Sequence, residues 1–219
     1  IVLPQWKELV KRVRSIPYRV LIGTVQSQER RGPLPPAVLL TLHGLYIDGG
    51  GADIGMIEER LVGHLIRVLH EASKVKIRHV VLPFVDSSSL KSEREIECLK
   101  TLLSRLKTTV AGTGVELHLE TDLEASAIDE VLRHSGEEFR ATYDMGNSAS
   151  LGRDPNREIP LLSNRIGSVH VKDRMLNGGT VPLGAGNVSF ADCFERLREA
   201  GYEGSSWLFT LRVSRSKSR

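Results

Sequence analysis

Two hydrophobic rhythms alternate along most of this chain. Between residues 54 and 74, Ile57, Leu61, Leu65 and Leu69 recur at helical spacing, and "RHVVLPF" then forms a short unbroken apolar run. The exchange repeats. A charged amphipathic stretch near 90–111, opening after the serines of "VDSSSLKSE", predicts a capped helix, and "GVELHLET" predicts the next strand. "EASAIDEVLRHSG" reads as a helix closed by glycine and "FRATYDMGN" as a strand. "DPNREIPLLSN" reads as a short helix with Pro in its first turn, and "IGSVHVKD" as a strand. "SFADCFERLREAGY" is a helix with Ser as its N-cap, and "SSWLFTLR" a last strand.

Continuous apolar strands exchanged with amphipathic helices predict parallel strands covered by helices. Upstream, "YRVLIGTV" and "AVLLTLHG" add two strands across the Pro-rich "QERRGPLPPA", giving about seven, with "IVL" at the start as the stub of an eighth. The expected fold is α/β, a (β/α)8 TIM-type barrel incomplete at the N-terminus with about seven parallel strands, in preference to a doubly wound sheet. One barrel domain is expected over residues 1–212, with a basic disordered tail over 213–219. Unpaired first and last strands would invite a homodimer.

In such a barrel, chemistry collects where the strands end. Those ends supply Asp86, then His118, Glu120 and Asp122, then Asp144 and Asn147, then His170, Lys172 and Asp173. Strand alternation puts His118 with Glu120 and His170 with Lys172. Oxygen and nitrogen donors from three successive strands suit a divalent cation with positions left open for substrate. Asp86 and Asp122 also fit as helix N-caps, and His118 as a hydrogen-bonded core histidine.

Composition adds bounds. The chain of 219 residues is 40% hydrophobic and 26% charged, as in ordinary globular proteins. No apolar run approaches a membrane span, and "IVLPQWKELVKRV" has no signal-peptide pattern, so no membrane partner and a cytoplasmic location are expected. Cys98 and Cys193 fall far apart in helical contexts and read as reduced packing residues. The net charge is +3, but Arg212, Arg215, Lys217 and Arg219 belong to the tail, which leaves the body near neutral. A solvated terminus, and no nucleic-acid partner, is the expectation. "IDGGGAD" reads as a flexible turn. "GAGN" fits either a tight loop ahead of a helix or a phosphate cradle.

Five segments in order, "VLPFVDSSSL", "LHLETDL", "YDMGNSASLGRDP", "IGSVHVKDR" and "TVPLGAGNVSF", resemble the sugar-phosphate isomerases and epimerases with a xylose-isomerase-like barrel, in particular the pentulose- and hexulose-phosphate enzymes. The resemblance spans about residues 60–212. It implies metal ligands at Glu120, Asp144 and His170, a divalent ion (Mn, Zn, Mg or Co), and Arg174 on the substrate side. The implied substrate is a small sugar phosphate and the implied chemistry an enediolate reaction next to a ketose carbonyl. Glu120 would be the base, with Asp173 as the first choice for a second acid/base group. Lys172, Arg174, Asn147, Ser148 and Ser88 would bind substrate, with Ser87, Ser89 and the "GAGN" amides as further phosphate donors. The family's last strand usually adds a further Glu. Here "WLFTLR" puts Phe209 or Thr210 in its place, so proton exchange is expected to outrun epimerisation. A non-catalytic binding barrel and, more remotely, an apurinic-site endonuclease are the alternative readings.

Overall fold

The computed structural model describes residues 19–24, 38–43, 54–74, 76–85 and 89–208. Residues 1–18, the 47–53 run, Asp86, Ser87, Ser88, Phe209, Thr210 and the 213–219 tail, all named above, lie outside the described residues. By its contacts the chain forms two compact units, Ile1–Thr142 and Tyr143–Arg219.

The first unit is built on a sheet. Strand β1 (Arg19–Thr24) runs antiparallel to β2 (Val38–His43), with Arg19 opposite His43 and Thr24 opposite Val38. From β2 the ladder continues in parallel through β3 (His79–Phe84), β4 (Glu116–Thr121) and β5 (Phe139–Asp144). The antiparallel first pair corrects the expectation of parallel strands throughout. A parallel return needs a crossover of about a dozen residues, usually a helix. Gly32, Pro33, Pro35 and Pro36 occupy the sequence where that helix would have to form.

The covering helices follow their sequence signals. Helix α1 (Ile54–Lys74) buries Val62, Leu65, Val68, Leu69 and Ala72, one stripe at three- and four-residue intervals. Helix α2 (Glu93–Thr113) starts in a capping box. The Ser92 hydroxyl accepts from the Glu95 amide at 3.3 Å, and the Glu95 carboxylate accepts from the Ser92 amide at 2.8 Å. It stops at Gly114, whose φ of 64° is the left-handed cap conformation. Helix α3 (Ala125–Arg133) buries Ile128, Val131 and Leu132. Both faces of the strands are covered, since consecutive residues such as Val80, Val81 and Leu82 are all fully buried.

The second unit holds α4 (Met145–Ser150), α5 (Pro155–Leu162), β6 (Ile166–Val171), β7 (Asp173–Arg174), β8 (Thr180–Val181), α6 (Phe190–Glu199) and β9 (Ser205–Leu208). β6 and β9 pair in parallel, with His170 opposite Trp207. Two readings need correction here. "FRATYDMGN" is not one strand: it ends at Asp144, whose carboxylate accepts from the Asn147 amide at 2.8 Å and so starts a helix. "IGSVHVKD" breaks after Val171, and Asp173–Arg174 pairs antiparallel with Thr180–Val181 in a small hairpin.

No helix among the described residues is long and apolar enough to cross a membrane. Both cysteines are free thiols, Cys98 half-buried and Cys193 buried. Burial pushes the Cys193 thiol up to about 12. Alkylation of the folded protein near pH 8 should therefore label Cys98 and spare Cys193 until denaturant is added. Peptide mapping of an iodoacetamide time course checks this, and early labelling of Cys193 would contradict the packing around α6.

Candidate metal centre

Asp144 ends β5 and His170 lies near the end of β6, both almost completely buried. The Asp144 carboxylate does three things at once. Oδ1 caps α4 through Asn147, while Oδ2 lies 2.8 Å from the Lys172 ammonium and 3.4 Å from Nδ1 of His170. Burial pushes its proton affinity up, but the His170 hydrogen bond and the Lys172 charge outweigh burial. The carboxyl is held well below the usual carboxylate range. It is therefore an anion at neutral pH.

Glu120, near the end of β4, is also buried, at 6% exposure. Glu120, Asp144 and His170 each offer one ligand atom, and these atoms lie within 4.8 Å of one another. Two carboxylates and an imidazole, kept from solvent, fit a divalent cation and could hold one.

The neighbours of this set have definite partners. Arg174 donates from Nη1 to Oδ1 of Asn147 at 2.8 Å and from Nε to the Gly178 carbonyl at 3.0 Å. Gly146 makes that arrangement sterically feasible. A Cβ there would meet Cγ of Lys172 at 2.6 Å and Cγ of Arg174 at 3.2 Å, so α4 approaches both cationic stems only because the position is glycine.

Other residues singled out from the sequence have different surroundings. Ser148 is buried, and its hydroxyl donates to the Glu158 carboxylate, which also accepts from the Tyr143 hydroxyl at 3.2 Å. Arg153 approaches the other Glu158 oxygen at 3.7 Å. The hydroxyl of Ser148 thus faces a buried carboxylate within its own unit. His118 is a core histidine. Its ring stacks on His79 with centroids 4.5 Å apart, and Nε2 meets Glu116 at 2.9 Å. The His118 hydrogen bond holds the Glu116 carboxyl below its usual range despite partial burial. Ser89 donates to the Asp122 carboxylate, a local link within the first unit.

Asp173 is held by the backbone of a loop. At 1% exposure, its carboxylate accepts from the amides of Gly184 at 2.9 Å, Gly186 at 2.8 Å and Val188 at 3.1 Å. A carboxylate so engaged is a poor candidate for a mobile proton carrier, and two of the "GAGN" amides, those of Gly184 and Gly186, are turned toward it. Gly186 is packed onto it, since a Cβ there would lie 2.2 Å from Oδ1 of Asp173 and 2.6 Å from the Arg174 carbonyl. Gly186→Ala should cost about 1–3 kcal/mol by overpacking. A thermal midpoint equal to the unmodified protein's would show that the loop can shift without loss.

Sequence reasoning missed Glu158. It sits in "DPNREIP", where a charged residue on a short helix reads as solvent-facing, and only the folded contacts show it buried.

Comparison with known proteins agrees with this picture. L-ribulose-5-phosphate 3-epimerase UlaE of Salmonella paratyphi A is 39% identical over 67 residues, 30% of this chain and 24% of that protein. Among solved structures, an L-ribulose 3-epimerase superposes with a TM-score of 0.63 at 21% identity, covering 78% of this chain and 61% of the other. The IOLI protein with a bound zinc atom gives a TM-score of 0.63 at 13% identity, covering 75% and 64%. The chain thus spans less than two thirds of the length of these relatives, and the structural likenesses establish fold. The profile of the xylose isomerase-like TIM barrel matches residues 30–215, most of the sequence, and the chain belongs to that family.

Proposed function

We propose that this chain is a metal-dependent isomerase or epimerase acting next to the carbonyl of a ketose phosphate. The observation that carries the reading is the buried set Glu120, Asp144 and His170, with ligand atoms within 4.8 Å of one another. The match to an L-ribulose-5-phosphate 3-epimerase supports the substrate class. A bound divalent cation would polarise the ketose carbonyl and its neighbouring hydroxyl, acidifying the C–H between them.

The chain's own groups then have assignable tasks. Glu120 removes the proton from carbon, and the C–H electron pair moves into the carbonyl to give an enediolate. Asp144 stays anionic throughout, because His170 and Lys172 stabilise its charge. Lys172 and Arg174 supply positive charge toward the anionic substrate, and Asn147 orients the Arg174 guanidinium. Returning the proton to a neighbouring carbon isomerises the sugar, and returning it to the opposite face of the same carbon epimerises it. With Asp173 held by three amides, the second task has no evident donor among the described residues.

Metal analysis of the purified protein comes first, followed by incubation in deuterated water with ketoses and ketose phosphates. Deuterium should enter carbon adjacent to the carbonyl, faster than any change of configuration. Removing one acid/base group typically costs about 10²–10⁴-fold, so epimerisation should be slower by that order. Exchange that persists in metal-free protein, or is absent from the loaded protein with every sugar tried, would overturn the reading.

A further inference from the structure

The loop that follows β8 presents alternate backbone amides to a single carboxylate. Gly184, Gly186 and Val188 all donate to Asp173, at 2.9, 2.8 and 3.1 Å. The intervening Asn187 amide turns the other way and donates to the Arg174 carbonyl at 2.9 Å, while its side-chain oxygen accepts from Leu176 at 2.8 Å. Convergent amides of this kind form a concavity for an anion. Here the anion is part of the chain. Lys172 and Arg174 flank Asp173 directly, and their side chains reach Asp144 and Asn147.

We propose that Asp173 is a positioning residue whose carboxylate fills this amide nest, fixes the 184–188 loop, and so sets the reach of Lys172 and Arg174 toward the substrate. Its effect falls on substrate affinity and leaves proton transfer alone. The nest is therefore closed to a substrate phosphate, whose recognition passes to the flanking cations. The kinetic part rests on the ketose reading above, but the nest itself does not.

Two variants of the metal-loaded full chain separate the parts. Asp173→Asn keeps size and shape but turns an NH2 group toward amides that need acceptors. Asp173→Gly empties the nest and leaves room for formate, a carboxylate without a stem. Hydrogen exchange at Gly184, Gly186 and Val188 should accelerate roughly ten- to a hundredfold in Asp173→Asn, as expected for loss of charge-assisted hydrogen bonds. Sodium formate should restore protection in Asp173→Gly and do nothing to the unmodified protein. In turnover, KM should rise about tenfold or more while kcat stays within about threefold, the pattern of lost ground-state binding.

Unchanged exchange in Asp173→Asn would overturn the nest. A fall in kcat at constant KM, with one limb of the pH profile lost, would instead make Asp173 an acid/base group and also overturn the proposal. If the unmodified protein turns over no ketose, the functional reading fails while exchange and formate rescue still decide the nest. Should Asp173→Gly not fold, exchange in Asp173→Asn decides alone.

Discussion

Asp144→Asn is expected to strip the protein of its divalent ion, weakening metal binding by at least about a hundredfold, and to abolish deuterium exchange into a ketose. The carboxylate is one of the three buried groups that could hold a metal ion and the partner of both His170 and Lys172. An amide in its place keeps the volume and can still cap α4 through its oxygen, so the fold should survive where the site does not. Isothermal titration with Mn²⁺ or Zn²⁺ checks the first effect and proton NMR the second. The pH dependence has a definite sign. Because the folded protein depresses this carboxyl below its ordinary 3.8, the ion pair stabilises the fold above that value and is lost as pH falls through the folded one. The gap in thermal midpoint between metal-free Asp144→Asn and metal-free unmodified protein should accordingly hold steady from about pH 8 to 5 and close only below about 4. A gap that closes near neutrality would mean that Asp144 is not held as an anion. Undiminished metal affinity would remove it from the ligand set.

The largest stability effect is expected at Glu158, away from the ligand donors. Glu158→Ala removes the acceptor of the Ser148 hydroxyl, one of two acceptors of the Tyr143 hydroxyl and a counter-charge near Arg153, all within the second unit. Buried donors that lose an acceptor cost about 1–3 kcal/mol each, so a total of about 2–4 kcal/mol is reasonable. Burial, the larger cause, pushes the Tyr143 phenol well above its usual range, which makes ionisation no escape for that hydroxyl. Chemical denaturation should show a lower midpoint with an unchanged slope. Glu158→Gln, which retains one acceptor oxygen, should recover part of the loss. Equal midpoints for Glu158→Ala and the unmodified protein would mean that the network contributes nothing net.

Hydrophobic rhythm located the helices and strands because each element buries a face and must repeat at its own period. The covering helix α1 was legible to the residue for that reason. The three groups that could hold a metal were picked out too, since a Glu, an Asp and a His at successive strand ends have few structural reasons to coincide. What escaped had local, polar causes. Asp144 both ends a strand and begins a helix, and a periodicity window blurs a junction with no intervening loop. β1 pairs antiparallel with β2, a direction that the strand's own residues do not encode. Asp173 and Ser148 look like ligand-binding groups in a string of letters, and only the fold reveals that backbone amides and a buried carboxylate had already engaged them.

The missing side chain at position 146 has an evolutionary corollary. With Lys172 and Arg174 both packed where a Cβ would stand, position 146 cannot grow by one methyl group while those two stems keep their present length and path. Sequence drift in this corner must be concerted. A lineage that admits alanine at 146 has to shorten or redirect a cation first, and a lineage that keeps both cations is confined to glycine. Saturation libraries of the three positions together should contain far fewer viable combinations than the product of the three single-site tolerances would allow.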